Sequence, residues 1–260
     1  MTSGQSIVVQ GNLHDTIDAV VFLPPAGSLT SPFFSVGALL PPAVPALHCE
    51  LPGRGRLAHD QTPASVSAAV DRWTEDLTAL LPEGRLHLFG HSLGALFAYE
   101  LAARIEDHPR YEVGGLSVSG AREPGSAPRT LVAAAFEALR RDQRATDKEG
   151  DADGTWLTRD LRMRREHRVT RQSVRAPLAL FCGDSDPFAR PADMAEWKHF
   201  TSGPFLGTFT FPGGHDYYLS GQAAIATTIT DLVDRCRELP RTPVPESQSD
   251  SSRQGVGHDG

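Results

Sequence analysis

Long hydrophobic runs are missing from this 260-residue chain: none approaches the ~20 apolar residues that cross a bilayer, so no membrane-spanning helix is expected. The opening MTSGQSIVVQ also lacks a basic stretch followed by an apolar one, and the chain is therefore expected to be soluble and cytoplasmic. Cysteine is scarce. Cys49, Cys182 and Cys236 are odd in number and widely spaced, which suits neither a disulfide framework nor a zinc cluster. They read as reduced thiols packed as small hydrophobes, and no metal is expected. Positive charge is the minority sign, with 25 Lys plus Arg against 32 Asp plus Glu and a formal charge of −7. That balance argues against a protein that neutralises nucleic-acid phosphates. No internal repeat is visible.

What the chain does have is 40% apolar residues, enough to bury the core of one large α/β domain. Short apolar runs alternate with longer stretches of helical period, the pattern of a mainly parallel sheet flanked by helices. Strands are predicted at 7–10, 19–23, 46–51, 86–90, 113–119, 178–183 and 208–211. Thr62 and Pro63 read as a helix start, after which Val66, Val70, Trp73, Leu77 and Leu80 share a face. Further helices are predicted at 93–106 and 223–239. A helical lid insertion is expected over about 123–175, where Leu131, Phe136 and Leu139 fall on one face. Its DKEGDADGT segment is too charged and glycine-rich for core. The domain is thus expected to span 1–239. Residues 240–260, rich in Ser, Pro and Gly, read as a disordered tail.

The most informative stretch is LHLFGHSLGALFAYELAA, residues 86–103, where an apolar strand runs through Gly90, His91, Ser92, Leu93 and Gly94 into a helix. A serine in that turn is forced into a strained backbone that exposes its hydroxyl, and the flanking glycines leave room for neighbouring elements. The bland alternative is a glycine-rich structural turn. A serine nucleophile needs a base that is itself oriented by a carboxylate, and in this architecture they follow in the order acid, then histidine. The strand LALFCG ends in Gly183, Asp184, Ser185, Asp186 and Pro187, which makes Asp186 the candidate acid. Asp184 is the runner-up, with capping of the turn as its other reading. The strand TFTFPGG then delivers His215, the candidate base. His91 is expected to pack or bond locally, and His199 and His258 to face solvent. Oxyanion donors are expected from the Leu93 N–H and, in the loop PPAGS after the second strand, from the Ala26 N–H. An ordinary Pro-Gly loop is the alternative for the latter.

With these residues in place, the chain resembles the discrete type II thioesterases that accompany polyketide and nonribosomal peptide synthases, within the α/β-hydrolase superfamily. The resemblance is carried by FLPPAGS, the LPGR of Leu51 to Arg54, LHLFGHSLGALFAYELA, SVSGAREP, GDSDP, Trp197 and FPGGH, over roughly residues 20–235. It implies a hydrolase that removes acyl groups from the phosphopantetheine arm of acyl or peptidyl carrier proteins, clearing stalled or misprimed units. It places the nucleophile on Ser92, the acid on Asp186, the base on His215 and the oxyanion amides on Ala26 and Leu93. No cofactor beyond the carrier's own arm is implied. The lid residues Leu131, Phe136 and Leu139 become candidates for acyl contact, a role that simple packing would equally explain.

Three departures stand out. The first loop reads Pro25, Ala26, Gly27, Ser28 where such families show His-Ala-Gly-Gly, and the 123–175 interval lacks their Gly-Gly and proline landmarks. Asp216 stands where an aromatic commonly follows the histidine. A carboxylate there is expected to raise the pKa of His215 or to compete for its N–H. Between Arg159 and Arg175 seven arginines face only Asp160 and Glu166. That surplus suggests a face that steers an acidic carrier domain, or simply a solvated helix. A chain-releasing or acyl-transferring relative and a general carboxylesterase remain the competing functions.

Overall fold

The computed structural model describes residues 4–14, 16–126 and 155–240. Seven strands pair into one sheet: β1 (Ile7–Gln10), β2 (Asp18–Leu23), β3 (Ala46–Cys49), β4 (Gly84–His91), β5 (Tyr111–Ser119), β6 (Leu178–Gly183) and β7 (Phe205–Phe211). Their order is β1-β3-β2-β4-β5-β6-β7, with β1 antiparallel to β3 and every other pair parallel. The central strands are apolar on both faces because both faces are covered. In β2, Ala19, Val21 and Leu23 enter one core while Val20 and Phe22 enter the other. β6 divides in the same way, with Leu178, Leu180 and Cys182 opposite Ala179 and Phe181.

The described helices are α1 (Phe34–Gly37), α2 (Val66–Leu80), α3 (Leu93–Ile105), α4 (Thr155–Glu166), α5 (Pro191–Met194) and α6 (Gln222–Arg237). One core lies between the sheet and α2 and α3, the other between the sheet and α1 and α6. Helix α2 starts later than Thr62 and Pro63 suggest. Ser65 is its N-cap, in extended backbone conformation, and its hydroxyl accepts the Ala68 N–H at 3.1 Å. The expected Val66, Val70, Trp73 and Leu77 stripe is buried. Cys49, Cys182 and Cys236 are free thiols inside the protein, as their spacing suggested.

Of the expected lid, residues 127–154 lie outside the described residues, and Leu131, Phe136 and Leu139 with them. The insertion returns to the body as α4, which contacts α3 and sends Leu157, Asp160 and Met163 inward. Residues 241–260 of the expected tail, His258 included, are likewise outside the described part. Among the described residues no helix is long and apolar enough to cross a membrane.

Chain order positions the site. After β3 the chain returns on the other side of β2 to form β4, so the C-terminal ends of β2 and β4 flank a crevice where the topology reverses. Leu23 and Gly90 pair there, which sets the loop after β2 beside the turn after β4.

Candidate active site

Ser92 occupies the turn between β4 and α3 with φ 55° and ψ −113°. Among the described residues it is the only non-glycine with a positive φ. Such a conformation is unfavourable for an L-residue and persists only where the surroundings fix it. Both flanking glycines are required by close approach. A Cβ at Gly90 would overlap the Gly94 carbonyl, and one at Gly94 would overlap the Leu23 carbonyl on β2. The Ser92 N–H donates to the Ser119 carbonyl at the end of β5, 2.8 Å away. Leu93 opens α3, so its N–H has no intrahelical carbonyl to meet and lies at the positive end of the helix dipole.

Asp186 and His215 come together from the ends of β6 and β7. The His215 Nδ1 lies 2.9 Å from the Asp186 Oδ2, and the carboxylate is fully buried. Its other oxygen accepts the backbone N–H groups of Phe188 and Ala189, at 2.8 and 3.3 Å. A carboxylate held by amide donors accepts, so the imidazole donates from Nδ1 and its Nε2 carries the lone pair. The ring packs nearly perpendicular to Phe188, 4.9 Å between centroids, and tilted against His91, at 4.5 Å. Since His91 directly precedes Ser92, this packing sets His215 beside the turn.

The runner-up acid has a different task. Asp184 is exposed and accepts the Gly213 N–H at 3.0 Å and the Ser185 hydroxyl at 2.8 Å, tying the β6 loop to the β7 loop. The Gly213 amide, followed by Ser185, holds its carboxyl below the ordinary range. Asp216 does not compete for the histidine. Its side chain is exposed, its carbonyl accepts the Leu219 N–H, and the His215 Nδ1 is already engaged by Asp186.

His91 is buried, as expected of a locally packed residue. Its Nδ1 lies 2.7 Å from the Ser119 hydroxyl, which lies 2.6 Å from the Tyr217 hydroxyl. Burial, reinforced by the neighbouring His215, pushes its proton affinity well below that of a free imidazole. Burial likewise keeps the Tyr217 phenol protonated. His199 faces solvent.

Ala26 sits half-buried in the loop after β2, and here the structure supplies residues that sequence reasoning missed. Arg54 of the LPGR segment and Asp160 of α4 form a buried two-pronged ion pair, with contacts of 2.8 and 2.6 Å. The Asp160 Oδ2 also accepts the Gly27 N–H at 2.8 Å, and the Arg54 Nη1 donates to the Ser28 carbonyl at 3.2 Å. The signal available in the sequence was a lone carboxylate on the same helical face as Leu157 and Met163.

Part of the arginine surplus of 159–175 is offset by acids distant in sequence. Arg171 and Arg175 both pair with Glu106 and Asp107 at the end of α3. Arg162 and Arg165 approach Glu166. No group of three or more His, Cys, Asp or Glu side chains suited to a metal occurs among the described residues.

Known proteins share the sequence and the fold of this chain. Residues 18–233 match the thioesterase domain family. The thioesterase PikA5 of Streptomyces venezuelae is 36% identical over 233 residues, covering 85% of this chain and 83% of that protein. Among solved structures, the type II thioesterase BorB of the borrelidin biosynthetic cluster superposes with a TM-score of 0.74 at 26% identity, over 90% of this chain and 99% of BorB. RedJ, a thioesterase of the prodiginine pathway of Streptomyces coelicolor, gives 0.70 at 28% identity, over 86% and 93%. The strained serine turn thus sits in a sheet and sequence context shared with thioester-cleaving enzymes, and the chain belongs to the thioesterase domain family, on the α/β-hydrolase fold.

Proposed function

We propose that the protein hydrolyses acyl groups from the phosphopantetheine arm of acyl or peptidyl carrier proteins, editing stalled or misprimed units of polyketide or nonribosomal peptide assembly in the cytoplasm. The observation that carries the chemistry is the contact between the His215 Nδ1 and the buried Asp186, packed against the strained turn of Ser92. In this reading the Ser92 Oγ attacks the thioester carbonyl carbon and its proton passes to the His215 Nε2. Asp186 holds the resulting imidazolium through Nδ1–H. The carbonyl oxygen becomes an oxyanion facing the Leu93 and Ala26 N–H groups, and loss of one such donor slows catalysis about 10²–10³-fold. Collapse breaks the C–S bond, and the pantetheine thiol leaves with the proton from His215. Water, deprotonated by the same imidazole, then releases the acid from the acyl-serine. No metal or further cofactor takes part in these steps.

A panel of acyl-loaded carrier proteins, free acyl-pantetheine thioesters and matched oxygen esters tests this reading. The highest kcat/KM is expected for carrier substrates, with free acid as product. Preference for oxygen esters would make the protein a general carboxylesterase, and acyl amides or esters as products would make it a chain-releasing transferase.

A further inference from the structure

The pair formed by Arg54 and Asp160 has a placement that packing alone does not require. Arg54 is 2% exposed and Asp160 not at all, so both charges have left water. A fully buried ion pair is a poor source of net stability, because desolvation offsets most of the attraction, and its retention in a core points to a positional task. That task is visible in what else the two side chains hold. One carboxylate oxygen of Asp160 is shared between the Arg54 guanidinium and the Gly27 N–H, while the same guanidinium reaches the Ser28 carbonyl. Gly27 has φ +79°, a left-handed turn, and the Leu157 side chain of α4 occupies the space beside it. The peptide that joins Ala26 to Gly27 is therefore fixed through its own N–H. The preceding peptide, which carries the Ala26 N–H, lies between this fixed plane and the constrained φ of Pro25.

We propose that Arg54 and Asp160 are positioning residues for acyl transfer. They hold the 25–28 loop so that the Ala26 N–H meets the developing oxyanion, and they make this alignment depend on α4 being seated. The proposal rests on reading Ala26 and Leu93 as the oxyanion donors. Asp160 is 133 residues from Gly27 and 106 from Arg54 in sequence, so the loop after β2 takes its catalytic shape only when the chain has returned from the insertion.

Asp160→Ala removes the carboxylate, Asp160→Asn keeps its shape without its charge, and Arg54→Lys keeps the charge without the fork. Each is assayed as full-length protein, well below its unfolding temperature, with an acyl-pantetheine thioester. Two inhibitors accompany the assay: a trifluoromethyl ketone analogue, which closes to a tetrahedral oxyanion on the serine, and the product carboxylic acid. Asp160→Ala is expected to lower kcat by about 10–100-fold, part of the loss for a deleted oxyanion donor. The ketone should weaken by a similar factor, while KM and product binding change less than about twofold, as for an interaction made only in the transition state. Asp160→Asn and Arg54→Lys should fall between this variant and the parent, and they carry the test if Asp160→Ala does not fold. Lowered unfolding temperatures with kcat and ketone affinity unchanged would reduce the pair to a structural staple and overturn the proposal. Hydrolysis surviving in Ser92→Ala would instead remove the catalytic reading beneath it. An inactive Ser92→Ala beside fully active Asp160 and Arg54 variants would overturn this inference alone.

Discussion

Asp184 and Asp186 stand two positions apart at the end of one strand, and their surroundings separate their tasks. Asp186 is buried, receives two amide N–H groups on one oxygen and presents the other to His215. Asp184 lies in solvent and ties two loops together. Asp186→Asn, which keeps the shape but removes the charge that fixes the imidazole tautomer, should lower kcat by about 10³–10⁴-fold. Asp184→Asn should leave kcat nearly unchanged. Steady-state kinetics of the two variants side by side checks this, and equal losses would reverse the assignment. The spacing of the two aspartates was legible in the sequence, but their difference was not, because it depends on amides that the turn folds back onto Asp186. His91 is a second case. Its place beside the serine was evident, whereas its contact with Ser119 is made across the sheet. Because burial lowers its proton affinity, its imidazole should stay neutral as pH falls through the range in which a free imidazole protonates, which ¹⁵N chemical shifts can follow.

At the scale of elements, strands proved the most readable features. β2 and β6 are short apolar runs because both of their faces are covered, and no competing period obscures them. Helix α2 was legible through its buried stripe but not at its start. Thr62 and Pro63 carry the composition of a helix start, yet the hydroxyl that caps the first turn belongs to Ser65. Ser65→Ala should therefore destabilise the protein by about 1 kcal/mol in urea unfolding without affecting turnover. An unchanged midpoint would count against the cap. Short elements such as α1, four residues long, have too few positions to show a period. Helix α4 illustrates the remaining limit. The arginines along it and after it are conspicuous, but Glu106 and Asp107, the partners of Arg171 and Arg175 in the segment that follows α4, come just after α3, and only the folded chain brings them together.

The whole molecule is set up to lose stability in acid. His48 is buried between Ser31 and Gln10, and desolvation lowers its pKa to about 4. His91 is lowered as well. An imidazole that is neutral when folded but protonated when unfolded makes the unfolded state bind more protons. Stability thus falls as pH drops below the unfolded value near 6.5, by up to about 1.4 kcal/mol per pH unit for each such group. For His48 the fall ends near its folded value of about 4. Asp18 and Glu100 add to the loss at lower pH. Burial alone would raise both, but His87 and Arg237 on Asp18, and His167 and Thr170 on Glu100, hold them below their ordinary values. Their contribution is present above the unfolded carboxylate pKa and is lost as pH falls through the folded one. Urea midpoints should decline from pH 7 to pH 5 and more steeply below, and a flat profile to pH 5 would contradict the buried neutral histidines. For the central claim, that one serine carries the acyl group between thioester and water, the most direct measurement is mass spectrometry of the protein quenched during turnover of an acyl-pantetheine thioester. The account predicts an acyl adduct on the peptide containing Ser92 that disappears in Ser92→Ala together with hydrolysis. An adduct on another residue, or hydrolysis that persists in Ser92→Ala, would contradict it.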